Sequence, residues 1–482
     1  MRSFVGFGAM CLAAPLAQAI SLDVNSTQSL ITAARTVASR VLDLYSSNST
    51  TIGLFGEPYY WWESGQAWDT LIRYWALTGD ASNNAIVGES MMWQVGSNLD
   101  YMPANQTKGE GNDDQAAWAL AAMTAAEYGF PMPSGSGDNI TWIQLAENVF
   151  NDQVERWDDS SCGGGLRWQI FTFNNGYNYK NAMSNGDFVQ LAARLGLYTG
   201  NATYTDWARK ATQWSLDTGL IANISTGNPG AVYDGFSTTT NCSVLNHLQW
   251  TASAGTYLSG AAYASNDSST IFWNSAVFAL LINANSTFSP NGTLIEVACE
   301  TNDNCNTDQL AFKGMLIRGL AAVRDLTYDN NLTHGANATA PQSPAGSVHS
   351  LVNGILQASA KGAAAACSGG GSGTDCGSSW MSGSYDGSSG LGQELNALEV
   401  ILANLPAKPI KNVNSTSATS SGNGTSSSSG GGGSNNSSTG TSPASTSSSS
   451  AVPKTSTNDA NGRLLSTTGL LLSLAAAAAV IL

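Results

Sequence analysis

Ala117-Trp118-Ala119-Leu120-Ala121-Ala122-Met123-Thr124-Ala125-Ala126 carries no charge and only one hydroxyl over nearly three helical turns. A helix that is apolar and small on every side belongs inside a protein, with neighbours all round. Residues 203–217 show the other pattern, with charge gathered on one face. Working outward, apolar spacing and flanking Gly, Pro, Asn and Ser predict helices over 27–46, 65–78, 82–99, 112–128, 141–156, 181–199, 203–217, 243–264, 268–283, 306–324, 345–364 and 389–404. Buried and half-exposed helices alternate along that series. This predicts an all-α fold of two concentric rings, six helices inside and six outside. A helical solenoid is the competing architecture, and the chain shows no fixed-period repeat to support it.

The chain has 482 residues, of which the two ends and a Ser/Thr/Gly/Asn-rich stretch over 412–457 cannot contribute to a core. Roughly 390 residues remain for one large folded unit, expected over 20–411. With 19 Lys and Arg against 34 Asp and Glu the net charge is −15, which excludes nucleic acid as a partner, because phosphate binding needs clustered cations. Few charges, many Asn, Ser and Thr, and 14 Trp, 15 Tyr and 13 Phe suit a secreted surface that faces sugars.

The ends suggest an address. Met1-Arg2 opens an apolar stretch from Phe4 to Leu16 that closes on Ala17-Gln18-Ala19, the small-x-small pattern of a signal peptide over 1–19. That stretch is too short to span a bilayer. Residues 458–482 have the layout of a glycosylphosphatidylinositol (GPI) attachment signal: Asn458-Asp459-Ala460, a spacer to Thr468, and an apolar tail from Gly469 to Leu482. Asn458 is the expected modified residue, with Ala460, Asn461 and Gly462 as alternatives. The 412–457 stretch then reads as a flexible linker holding the domain off the membrane. Asn-x-Ser/Thr sequons at Asn25, Asn48, Asn105, Asn139, Asn201, Asn223, Asn266, Asn285, Asn291, Asn331 and Asn337 fit a eukaryotic secretory route.

Cysteine usage agrees with that compartment. Cys11 falls in the signal peptide, leaving six, an even number in an oxidising route. Cys299 with Cys305 and Cys367 with Cys376 are close pairs, and Cys162 with Cys242 follows by elimination. No metal is expected: C-x-x-C and H-E-x-x-H do not occur, and His247, His334 and His349 are isolated.

Gly111-Asn112-Asp113-Asp114-Gln115 carries the sharpest chemistry. One reading is structural: Asn112 as N-cap, Gln115 completing a capping box, and two aspartates at the positive end of the helix dipole. The other is catalytic. Consecutive Cα atoms lie about 3.8 Å apart, so adjacent carboxyl groups can reach the ~5–5.5 Å separation of a retaining glycosidase but hardly the wider gap of an inverting one. Close like charges also drive their proton affinities apart, leaving one carboxyl protonated while the other stays ionised.

Further segments join this one in order: Tyr59-Tyr60-Trp61-Trp62-Glu63-Ser64-Gly65 before it, and Gly163-Gly164-Gly165-Leu166-Arg167-Trp168 after it. Then come Tyr179-Lys180-Asn181-Ala182-Met183-Ser184-Asn185-Gly186, Val232-Tyr233-Asp234-Gly235, Phe312-Lys313-Gly314 and Cys376-Gly377-Ser378-Ser379-Trp380. With these segments the chain resembles glycoside hydrolase family seventy-six, the endo-α-1,6-mannanases, and within it the fungal GPI-anchored cell-wall branch. The resemblance covers roughly residues 25–405. It implies an (α/α)6 barrel and makes 20–411 the catalytic domain, with Asp113 as nucleophile and Asp114 as acid/base. Trp61, Trp62 and Trp168 are candidate platforms for mannose rings, with core packing as the alternative for each. Asn185 and Asp234 are candidate partners of sugar hydroxyls, a Tyr-Asp-Gly turn being the plainer account of Asp234. Lys313 and Arg318 stand in an otherwise apolar helix, where a salt bridge competes with substrate contact.

One segment departs from the family pattern. Trp250-Thr251-Ala252-Ser253-Ala254-Gly255 stands where the pattern has Trp-Thr-Tyr-Asn-Gln-Gly, which implies wider subsites or a different acceptor. No cofactor is expected, because the two carboxylates suffice, and a monomer is expected; the resemblance and the C-terminal signal together imply an enzyme anchored through GPI at the outer face of the plasma membrane and in the cell wall. It would cleave the mannan of a GPI core and transfer GPI-linked glycoproteins to wall β-glucan. Plain endo-α-1,6-mannanase hydrolysis and a non-catalytic mannan-binding wall protein are the alternatives.

Overall fold

A computed structural model describes residues 19–411 apart from 138, 224–227, 266–269 and 328–344. The expected signal peptide, linker, GPI signal and Asn458 lie outside the described residues, save for Ala19. Twelve α-helices occur among the described residues: α1 Thr27–Asn48, α2 Trp61–Thr78, α3 Asn84–Trp93, α4 Asn112–Tyr128, α5 Trp142–Glu155 and α6 Ala182–Thr199. The series continues with α7 Ala202–Asp217, α8 Thr251–Ala264, α9 Thr270–Phe288, α10 Lys313–Ala322, α11 Ala345–Ala366 and α12 Leu391–Leu402. Side-chain caps set several starts: Ser26 accepts from Ser29 N, Thr141 from Gln144 N and Asn181 from Ser184 N. Glycines with φ of 79°, 67° and 71° end α2, α4 and α6 at Gly79, Gly129 and Gly200, where a left-handed residue releases the chain from the helix.

The even-numbered helices form a closed inner ring. In turn α2 packs on α4, α4 on α6, α6 on α8, α8 on α10, α10 on α12, and α12 back on α2. Each odd-numbered helix packs outside this ring, so the fold is the expected (α/α)6 barrel. The run 117–126 sits in α4, buried from Trp118 through Ala126. Close approach in the ring uses glycine. A Cβ on Gly255 would meet the α10 backbone at Met315 and Leu316 within 2.5 Å, which ties one residue of the departing 250–255 segment to helix packing.

At one end the barrel is plugged by charge, and every inner helix contributes. Arg318 of α10 pairs with Asp69 of α2 and, at 2.6 Å, with Glu399 of α12, which also takes Arg73 of α2. Arg194 of α6 pairs with Glu127 of α4 at 2.8 Å, and Tyr263 of α8 donates to Glu127 at 3.5 Å. Three arginines thus meet three carboxylates, so the plug is neutral.

The structure corrects several boundaries. Residues 243–250 do not begin α8. Leu245–Asn246 is instead β3, pairing antiparallel with β2 Gly235–Ser237, which pairs with β1 Tyr179–Asn181. The left-handed backbone at Asn241 and Cys242 and the bridge from Cys242 to Cys162 hold that stretch out of the helix. Helix α3 stops at Trp93 rather than 99, because Gly96, Leu99 and Tyr101 have positive φ. Residues 306–312 hold irregular chain, turns and a single 3-10 turn at Gln309–Ala311, so α10 starts only at Lys313. Disulfides join Cys162–Cys242, Cys299–Cys305 and Cys367–Cys376, the last across the small hairpin of β4 Cys367–Gly369 and β5 Asp375–Cys376. No described helix is long and apolar enough to cross a membrane.

Candidate active site

The inner helices all present their N-termini to the end opposite the charged plug, where a cleft of about 530 Å³ opens. Its floor includes Asp113 and Asp114, in the first turn of α4. The helix is capped one residue earlier than predicted. Gly111, not Asn112, is the N-cap, and Asp114, not Gln115, sits at N3, with Gly111 N donating to Asp114 Oδ2 at 2.6 Å. Asn112 and Gln115 are instead buried towards the outer helix α5 and accept from its C-cap, Arg156. Asp113 Oδ1 accepts from Asp114 N at 3.1 Å, and its Oδ2 accepts from the Asn181 side chain at 2.8 Å.

Gly111 is required by space, since its φ of −96° suits any residue. A Cβ there would lie 2.4 Å from Asp113 Oδ1, 2.8 Å from Asp114 Oδ2 and 3.0 Å from Trp168 O. Those two carboxylate oxygens are therefore at most about 5.2 Å apart. Burial raises the Asp113 carboxyl to about 6, opposed by the Asn181 hydrogen bond. Asp114 is pushed well above the usual carboxylate range, first by burial and then by the charge of Asp113. The pair is thus unequal, with the proton held more firmly on Asp114.

Three more carboxylates line the cleft, Glu110, Asp234 and Asp308, and its lining contains no Lys, Arg or His. Two of them are fixed by indoles. Trp62 Nε1 donates to Asp308 Oδ1 at 2.8 Å, and Trp250 Nε1 donates to Asp234 Oδ1 at 2.9 Å. Both indoles pack on Phe312, with ring centroids 6.3 and 5.7 Å away, so one phenyl ring spaces two oriented carboxylates. Asp234 Oδ2 is further held by Tyr179 and Asn246, whereas Asp308 Oδ2 has no hydrogen-bond partner among the described residues. Glu110 is 1% exposed, with both side-chain oxygens unpartnered, and burial raises it to about 8.

Trp61, Trp62, Trp168 and Asp234 line the cleft. Trp61 stacks on Trp118 at 5.3 Å, which stacks on Tyr101 at 5.7 Å, so it joins the cleft wall to the core. Trp168 is the most open of the three at 38% exposure. It is carried by a loop folded around a buried ammonium: Lys180 Nζ donates to the carbonyls of Asp158, Ser161 and Gly164 at 2.9, 2.8 and 2.6 Å and pairs with Asp158 at 3.2 Å.

Asn185 and Lys313 do not reach the cleft. Asn185 is fully buried, and its amide is used up by both backbone groups of Leu166 and the carbonyl of Asn181. Lys313 pairs with Glu300 at 3.0 Å, donates to Ser378 O and lies 4.1 Å from the Trp380 ring centroid, while Arg318 belongs to the plug. For Lys313 and Arg318 the salt-bridge reading holds. Sequence reasoning missed Asn181, Glu110, Trp250 and Asp308. Asn181 had a signal, Asn-x-x-Ser at a helix start; Asp308 sits in an irregular loop and had none. Ala252 and Ser253 of the departing segment do line the cleft. Among the described residues no group of three or more His, Cys, Asp or Glu is arranged to hold a metal ion.

The model of glycosyl hydrolase family 76 matches residues 29–417. The chain belongs to glycosyl hydrolase family 76. Its relatives in that family include the mannan endo-1,6-alpha-mannosidase DCW1 of Saccharomyces cerevisiae, 39% identical over 83% of this chain and 85% of that protein. A putative mannan endo-1,6-alpha-mannosidase, C970.02 of Schizosaccharomyces pombe, is 41% identical over 84% of this chain and 87% of its own. The crystal structure of Dfg5 from Chaetomium thermophilum in complex with glucosamine superposes with a TM-score of 0.73 at 34% identity, covering 81% of this chain and 94% of that one. The GH76A α-1,6-mannanase of Salegentibacter sp. HEL1_6, at 18% identity and a TM-score of 0.58, shares the family 76 fold over 78% of this chain and 98% of its own.

Proposed function

We propose that this family 76 glycosidase acts on α-1,6-mannosidic bonds by a retaining double displacement and passes the glycosyl group to a carbohydrate acceptor. The observation that carries this reading is the Asp113/Asp114 pair, with two oxygens no more than about 5.2 Å apart and unequal proton affinities. That spacing suits a nucleophile and an acid/base flanking a scissile bond, the nucleophile on the side of the anomeric carbon opposite the departing oxygen, and it is too short for the extra water of inversion. Asp113 lies at the positive end of α4, which favours its charge. Its oxygen attacks the anomeric carbon as the glycosidic C–O bond breaks, and Asp114 gives its proton to the departing oxygen. In the second half Asp114 takes the proton of an acceptor hydroxyl, whose oxygen displaces Asp113 from the sugar.

The donor is the mannan of a GPI-core glycan. An acidic, cation-free lining accommodates an amino sugar, and Dfg5 of Chaetomium thermophilum binds glucosamine. The acceptor is a β-glucan hydroxyl, and Ala252 and Ser253 leave width for it. In this reading residues 1–19 direct secretion, 20–411 catalyse, 412–457 are the linker and Asn458 takes the GPI anchor, placing a monomeric enzyme at the outer membrane face and in the wall. Plain hydrolysis is the second reading, favoured by the relatives' name, mannan endo-1,6-alpha-mannosidase.

The test is incubation of the secreted domain with a fluorescent α-1,6-mannooligosaccharide, with and without a laminarin-type acceptor, beside Asp113→Asn and Asp114→Asn. Acceptor-dependent labelled products lost in both variants support transfer. Shortening without acceptor means a hydrolase. No product at all, with binding retained in both variants, means a mannan-binding wall protein and removes the catalytic role from the pair.

A further inference from the structure

The sequon Asn105-Gln106-Thr107 lies in the loop that leads into the N-cap of α4. Asn105 is exposed, and among the described residues its side-chain amide has no hydrogen-bond partner. The next residue, Gln106, lines the cleft, as do Gly109 and Glu110. None of the other sequon asparagines among the described residues adjoins a cleft-lining residue. The loop is also fastened: Gln106 N donates to Pro103 O at 2.9 Å, Gly109 N to Gln106 O at 3.1 Å, and the Asn174 amide to Thr107 O at 3.0 Å. A sugar chain rooted at Asn105 would therefore be held at the cleft rim, one residue, or about 3.8 Å of backbone, from its lining.

We infer that Asn105 is an N-glycosylation site whose glycan stands over the mouth of the cleft and limits entry of long mannan chains while leaving short ones free. N-linked glycans are bulky, and one rooted at Asn105 would crowd the side of the cleft lined by Gln106, Gly109 and Glu110. Its effect on substrate choice rests on the mannan-active reading above; its presence does not.

The experiment uses the full chain secreted from a fungal host. Peptide mass spectrometry after enzymatic deglycosylation in heavy-oxygen water reads occupancy at Asn105. Thr107→Ala removes the sequon but keeps the Thr107 carbonyl that Asn174 holds, Thr107→Ser preserves the sequon, and Asn139→Gln removes an exposed sequon elsewhere. The expected result is an occupied Asn105 and a kcat/KM on polymeric α-1,6-mannan that rises about threefold or more in Thr107→Ala, with mannotriose unchanged. Thr107→Ser and Asn139→Gln should match the parent on both substrates. An unoccupied Asn105, or an unchanged polymer-to-trimer ratio in Thr107→Ala, overturns the inference. If the parent cleaves neither substrate, the mannan-active reading fails, and acrylamide quenching of tryptophan fluorescence decides the gate. Quenching that rises in Thr107→Ala supports a glycan over the cleft, and unchanged quenching removes it.

Discussion

Replacing Gly111 by alanine is a small change with a large expected effect. The backbone there is extended, φ −96° and ψ 167°, so alanine fits the chain conformation without strain. The new methyl does not fit the space, because it falls 2.4 Å from Asp113 Oδ1 and 2.8 Å from Asp114 Oδ2, where ordinary contact begins at 3.4 Å. Relief requires the first oxygen to retreat by about 1 Å and the second by about 0.6 Å. Misplacement of that size costs on the order of 100-fold in rate, or about 2.7 kcal/mol of barrier. Stability should fall by no more than about 1–3 kcal/mol, the usual cost of a local overpacking. The assay is kcat/KM on an α-1,6-mannooligosaccharide beside the thermal midpoint. Activity within about threefold of the parent in a folded Gly111→Ala protein, against the ~100-fold expected, would refute the view that this glycine holds the two carboxylates in place.

Other expectations concern charge. Asp308→Asn keeps an acceptor for Trp62 but removes the charge at the free oxygen, and should lower kcat/KM about 10-fold, as expected for losing a charged hydrogen bond to a sugar hydroxyl. Full activity would leave Asp308 only the task of orienting Trp62. Lys180→Met strands three carbonyls and one side of Asp158, so urea denaturation should show a loss of about 3–5 kcal/mol; Arg167 stays on Asp158 at 2.8 Å and limits the damage. The rate should fall as pH drops through about 6, because the nucleophile proposed above, Asp113, would have to be ionised to attack. Stability should run the other way. Burial raises Glu63, Glu110, Glu296 and Glu394 to about 8 each, so the folded chain holds protons that the unfolded chain releases near its ordinary carboxylate range. Their stabilising protonation is complete at low pH and lost as pH climbs towards 8. A thermal midpoint higher at pH 8 than at pH 5 would contradict this.

Helix periodicity and composition carried the barrel. Twelve segments were legible because inner helices such as α4 and α8 are apolar and small all round, while α1, α5 and α7 bury one stripe. Limits appeared where tertiary contacts decide. The start of α8 is delayed by a disulfide and by backbone conformations that residue types alone do not announce. In the site, the adjacent aspartates were legible because their chemistry depends on sequence neighbours. Asn185 and Asn181 stand one helical turn apart in one motif, and only the packing tells which amide serves the backbone of Leu166 and which serves Asp113. Lys313 read equally well as ligand or ion pair until Glu300 was seen beside it. Asp308 and Trp62 are 246 residues apart, and nothing local in either segment marks the contact.

The neutral plug makes ring closure depend on the last helix of the domain to be synthesised. Arg73 and Arg318 both wait for Glu399, which lies on the final helix of the described domain. Until that helix docks, Arg318 keeps only Asp69 and Arg73 has no carboxylate partner among the described residues, and an unpaired buried charge is strongly unfavourable. A nascent chain halted before residue 399 therefore cannot settle its earlier helices, however complete their apolar faces. Chains cut short ahead of α12 should stay protease-sensitive as a whole rather than lose one helix, so proteolysis would report whether synthesis has passed the last helix of the domain.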